Sequence, residues 1–94
     1  MAIVVDESAS PIIITGTTGA SEVITLRARF VQSVYWYKPT TLGHLLSVTD
    51  GNGRTVTRAC VAVADEGIII PVNAVYDSLY CDDMDSGILY IYHR

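Results

Sequence analysis

Lysine is nearly missing from this chain, with Lys38 alone among 94 residues, and six basic residues against ten acidic ones leave a net charge of -4. Sequence-independent binding to nucleic acid works by neutralising phosphates with many cations, so that class of partner is not expected. Arg27 and Arg29 fall on one face of a predicted strand and Arg54 and Arg58 in another. That placement suits solvated faces or salt bridges to a protein partner better than a phosphate track. Long apolar runs are missing as well: residues 12–14 are three, and residues 68–72 are broken by Pro71. A membrane helix needs about 20 such residues, so no membrane partner is expected. Residues 2–5 are apolar but are followed by Asp6 and Glu7 without a basic leader, which predicts a soluble protein made in the cytoplasm. The two cysteines, Cys60 and Cys81, are too few for a disulfide framework and are expected as reduced, buried thiols.

Charge is scarce altogether. Charged residues make up 17% of the chain and apolar residues 50%, against roughly 25% charged in an average soluble domain. A small domain has little interior in which to hide such a surplus, so association with copies of itself or with a larger assembly is expected.

Alternation of apolar and polar residues, the period of a strand, is what the chain does have. Leu46 and Val48 alternate with Ser47 and Thr49, the run Asp50-Gly51-Asn52-Gly53 follows, and Val56 sits between Thr55 and Thr57. Two such runs across a segment with glycine at its second and fourth positions predict a β-hairpin with glycine at a positive φ. On the return strand, read over residues 54–64, the inward set changes from Val56 to Ala59, Val61 and Val63. The change of phase predicts a β-bulge near Arg58. Residues 22–30 read as one strand, with Ile24, Leu26, Ala28 and Phe30 inward. Residues 31–38 are apolar or aromatic on both faces, as in a central strand, and end at Pro39. Residues 68–72 form a short strand truncated by Pro71, residues 74–81 a strand or irregular crossing, and Asp82 to Gly87 an acidic loop. The chain closes on a strand over 88–93, with Leu89 and Ile91 on one face and Ile88, Tyr90 and Tyr92 on the other. No stretch holds a helical period. About eight short strands in one domain predict an all-β antiparallel sandwich or small barrel over residues 11–94, with residues 1–10 as an extended arm.

Sites of chemistry are few. Asp82, Asp83 and Asp85 are candidate calcium ligands, but they lack the spacing of a calcium loop and read more simply as a solvated acidic segment. His44 and Cys60 would need to meet in space to form a nucleophile and base, and no local signature of such a site is present. No cofactor or metal is expected, and no enzymatic activity. The six tyrosines and Trp36 are the most suggestive set, because such side chains bury a large area while keeping a hydrogen-bonding tip at interfaces. Tyr35, Tyr37, Tyr90 and Tyr92 are the candidate interface residues, together with Ile3, Val4 and Val5 on the arm. An apolar β-branched run outside any hairpin would add to the edge of a neighbouring sheet.

The segment Trp36-Tyr37-Lys38-Pro39-Thr40, then Gly43, the Asp50-Gly51-Asn52-Gly53 turn and the closing Ser86-Gly87-Ile88-Leu89-Tyr90-Ile91-Tyr92 resemble small β-rich structural proteins of tailed bacteriophages. The resemblance covers about two-thirds of the chain, from about Val34 to Tyr92, and rests on strand and turn residues. It implies a virion component, a capsid decoration or cement protein or a tail-associated subunit. Its partners would be copies of itself and a major capsid or tail protein, and no catalytic residue carries over. The alternative is a module that binds a glycan or host receptor through exposed tyrosines.

Overall fold

The computed structural model describes residues 3–8, 10–19, 21–50, 52–60 and 66–94. They form nine strands and no helix. The strands are β1 (Ile3–Asp6), β2 (Ile12–Gly16), β3 (Glu22–Thr25), β4 (Arg29–Tyr37), β5 (Leu45–Thr49), β6 (Thr55–Cys60), β7 (Ile68–Tyr76), β8 (Leu79–Met84) and β9 (Ile88–His93).

Their pairing is nested. β2 lies antiparallel to β9, β3 to β8, β4 to β7 and β5 to β6, so the chain from β2 onward is one long hairpin with its tip at the β5–β6 turn. Rolling that hairpin up sorts its strands into β2-β9-β4-β7 and β3-β8-β5-β6, and β1 extends the first sheet beyond β2. Two sheets made in this way from nested pairs are a jelly roll. The all-β sandwich expected from the alternation is therefore what the chain forms.

Between the sheets lies a core of Ile12, Ile14, Ile24, Val31, Val34, Trp36, Leu46, Val48, Leu79, Cys81, Met84, Leu89 and Ile91, with Val56 and Tyr76 at its margins. Trp36, suggested by the sequence as an interface residue, is fully buried here, and its Nε1 donates to the Ser86 carbonyl oxygen at 2.7 Å. A buried indole with its one donor satisfied is a core residue. Leu89 and Ile91 point inward and Tyr90 and Tyr92 outward, as their alternation requires.

Several expectations need correction. Within the expected arm, Ile3–Asp6 does not lie outside any hairpin but pairs with β2, register Ile3 to Gly16 through Asp6 to Ile13. Ile3 and Val5 pack against the core; burying them on the open edge of β2 satisfies both side chains and ladder within one chain. The strand read over 22–30 is two strands in different sheets. After β3 the Thr25 hydroxyl accepts the Arg27 N–H at 3.2 Å, and the crossing leaves Leu26, expected inward, 69% exposed. β7 continues past Pro71 to Tyr76. It is an edge strand, where a missing N–H costs no ladder bond, and the register shift opposite Val31 and Ser33 absorbs the left-handed Asn73, φ 53°. The β-bulge expected near Arg58 is present on β6, with Val56 as the extra residue between the pairs Val48 to Thr57 and Thr49 to Thr55. Asp82 and Asp83 lie in β8 and not in a loop. Val61, Val63 and Ala64 of the expected return strand lie outside the described residues, as do Ala2 and Gly51.

Candidate interaction face and the opposite groove

Outward residues of the five-stranded sheet line up across strands by register. Asp6, Ile13, Tyr90, Tyr35 and Ile69 form one row. Tyr37 sits opposite Ile88, and Tyr92 opposite Ser33. Tyr35 and Tyr90 stack with ring centroids 6.0 Å apart, while Tyr37 meets Tyr35 at 5.8 Å and Tyr90 at 6.2 Å in edge contacts. Offset-stacked and edge-to-face rings are the favoured geometries of aromatic pairs. The Lys38 ammonium lies 5.6 Å from the Tyr37 ring. Each tyrosine is half-buried; Ile69, 71% exposed, lies beside Tyr35, and Val4, 67% exposed, stands on β1, across β2 from the cluster.

Of the seven candidate interface residues, then, the fold gathers Tyr35, Tyr37 and Tyr90 into one cluster. Tyr92 stands on the same face one outward position further along β9, and Val4 lies at the β1 margin. Ile3 and Val5 are turned inward. A close approach also shapes the face, since a Cβ added at Gly67 would lie 2.6 Å from the Tyr35 ring. Glycine at that position lets the chain entering β7 pass over the tyrosine.

The tip of the long hairpin is held by one carboxylate. Asp50 Oδ1 accepts the N–H groups of Asn52 and Arg54 at 2.9 and 2.8 Å, and Oδ2 accepts Arg54 Nε at 2.7 Å. Gly53 takes φ +83°, the positive value that the turn predicted. The hydrogen bond from the Arg54 side chain, aided by the backbone donors Arg54 and Asn52 and opposed by burial, holds the Asp50 carboxyl below its ordinary value. The guanidinium also lies 5.1 Å from the Tyr76 ring.

His44 Nδ1 is 2.7 Å from Ser86 Oγ, which also accepts the Thr40 N–H at 3.0 Å. These bonds tie the β4–β5 link to the β8–β9 corner, where Gly87 at φ +82° passes so close to Tyr37 that an added Cβ would stand 2.7 Å from its carbonyl oxygen. Of the two cysteines, Cys81 is buried as expected, and burial, reinforced by the nearby Asp83 and Glu22 charges, pushes its thiol up to about 12. Cys60 is exposed, because it falls on the outward phase of β6 once the bulge at Val56 has shifted the alternation.

The outer face of the four-stranded sheet carries a groove of about 510 Å³ across β6, β5 and β8. Its middle row is Arg58, Ser47 and Asp83, paired across the three strands. β8 has one extra residue, Asp82, between the partners of Ser47 and Val48, so Asp82 and Asp83 both line the groove. Burial, then the hydrogen bond that protonated Asp83 donates to Asp85 and the charges of Asp85 and Asp82, raise the Asp83 carboxyl above its ordinary value, and Asp83 Oδ1 is a buried acceptor with no partner. Asp85 is held by Leu45 N–H, 2.8 Å from its Oδ2. Among the described residues, no group of three histidines, cysteines or carboxylates is placed to hold a metal ion. Sequence reasoning missed this row, since residues 47, 58 and 83 come together only through strand register.

Comparison with known proteins finds no matching family model, no matching curated protein and no matching solved structure.

Proposed function

We propose that the protein is a non-enzymatic structural subunit of a phage-type virion, a decoration, cement or tail-associated component, that docks through the outer face of its five-stranded sheet. The observation that carries the reading is the Tyr35, Tyr37 and Tyr90 cluster, three rings in mutual contact on a sheet face that also exposes Ile69 beside Tyr35 and, at its β1 edge, Val4. Tyrosine at the centre of a patch with few charges is the composition of an interface core, where a rigid ring contributes area at little entropic cost. The low overall charge supports the same reading, and jelly rolls serve in capsid proteins, an analogy of fold that adds weight without assigning the site.

The test is cosedimentation with particles of the virus that encodes the chain. Wild-type protein should sediment with them, and Tyr35→Ser with Tyr90→Ser should lower occupancy by about tenfold or more, since two central aromatic anchors of an interface are worth at least 1.4 kcal/mol together. Equal occupancy of wild type and double variant, with both folded, overturns the docking face.

A further inference from the structure

The groove on the opposite sheet is not used by that docking face and points away from it. Its two walls carry opposite charge, with Arg58 on β6 and Asp82 and Asp83 on β8. Neighbouring strands are about 4.8 Å apart, so residues on the two outer strands of the row stand roughly 9–10 Å apart. Ser47 lies between them, and Thr49 and Thr55 form the next row on the same face. That row continues into Tyr80, whose backbone pairs with Thr49.

The geometry points to a binding site for a neutral saccharide in this groove. One pyranose ring spans the width between the walls, and the volume of about 510 Å³ lies within the range of small-ligand sites. A sugar hydroxyl both donates and accepts. It would donate to the exposed Asp82 carboxylate and, with a turn of the Asp83 side chain toward the groove, to Asp83 Oδ1, a buried acceptor that the fold leaves without a partner, which is unfavourable while it stays unmatched. Hydroxyls on the other side of the ring would accept from the Arg58 guanidinium, and those between would exchange hydrogen bonds with Ser47, Thr49 and Thr55. An anion would meet Asp82 and Asp83, and a simple cation would meet Arg58. A neutral polyol matches both walls without bringing a charge of its own. The bulge at Asp82 supports the assignment, because it turns two successive carboxylates to one face, and bulges recur where a strand re-aims side chains beside a site.

The inference is independent of the docking reading. Its test is a set of amide chemical-shift titrations of the isotopically labelled full chain with glucose, galactose, mannose and N-acetylglucosamine through the millimolar range, beside glycine and spermidine as charged probes. At least one sugar should give saturating shifts at Ser47, Thr49, Thr55 and Arg58. Asp83→Asn and Arg58→Ala, each with the remaining spectrum unchanged, should weaken that binding by about tenfold. Tyr90→Ser should leave it intact. Absence of saturation by every sugar, saturation by glycine or spermidine in their place, or sugar-dependent shifts confined to the tyrosine face would each overturn the assignment.

Discussion

At the scale of single residues, two carboxylates have opposite dependence on pH. Asp50 is held below its ordinary value by the Arg54 side chain and by the backbone donors Arg54 and Asn52, against the opposing effect of burial. A lowered carboxyl stabilises the fold above about pH 4, and that contribution is lost as pH falls through the folded value. Asp83 is raised, chiefly by burial and then by Asp85. A raised carboxyl is unfavourable to the fold once pH rises above its folded value and neutral in effect below about pH 4. Denaturant titrations should therefore find Asp50→Asn less stable than wild type at pH 7 and Asp83→Asn more stable, with both differences shrinking toward pH 3. A difference that grew on acidification for either variant would reverse the assignment. The glycines divide in the same manner. Gly53 has open space around it, so Gly53→Ala costs only the strain of a positive φ, about 1 kcal/mol. Gly87→Ala adds a collision with the Tyr37 carbonyl and the Trp36 ring and should cost clearly more in the same unfolding measurement. The cysteines differ too. Cys60, exposed, should be alkylated by iodoacetamide in the folded protein, while Cys81 should react only on unfolding. Cys81→Ser buries a hydroxyl in the core and should lose about 1–3 kcal/mol.

Among the elements, β1 separates two accounts of the N-terminal stretch. A free arm could be removed without effect on the fold, whereas β1 covers the edge of β2 and inserts Ile3 and Val5 against the core. Deleting residues 2–6 should lower unfolding stability by about 2–3 kcal/mol, the worth of two partly buried β-branched side chains and their ladder bonds. Unchanged stability would return the segment to the status of an arm. The bounds of β5 and β9 were legible because their alternation is unbroken and each is closed by residues with a turn function, Asp50 and Gly53 at one, Ser86 and Gly87 at the other. The division between β3 and β4 was not legible. Alternation reports which face a residue occupies but not which sheet its strand joins, so Leu26 read as inward although it lies at the crossing. β7 was cut short for a related reason: Pro71 stops a central strand, and its position at a sheet edge is a tertiary fact.

Across the whole molecule, nested pairing gives the two sheets different outer faces, and this difference is the basis of the account. One face gathers Tyr35, Tyr37 and Tyr90 from strands β4 and β9, separated by more than fifty residues in the chain but adjacent by register. The tyrosines themselves stood out in the sequence, while their clustering depended on the pairing of the closing strand with the aromatic one. The other face gathers Arg58, Ser47 and Asp83, which no local pattern announced. Docking through the tyrosine face would leave the groove and Cys60 turned outward on the assembled particle. The most direct test is chemical labelling of the isolated protein and of the same protein on the particle, with tetranitromethane for tyrosines and iodoacetamide for Cys60, read residue by residue by mass spectrometry. Tyr35, Tyr37 and Tyr90 should be nitrated in the isolated protein and protected on the particle, with Cys60 alkylated equally in both. Tyrosines that stay as reactive on the particle as in solution, with Cys60 becoming protected, would contradict the account and place the contact on the opposite sheet.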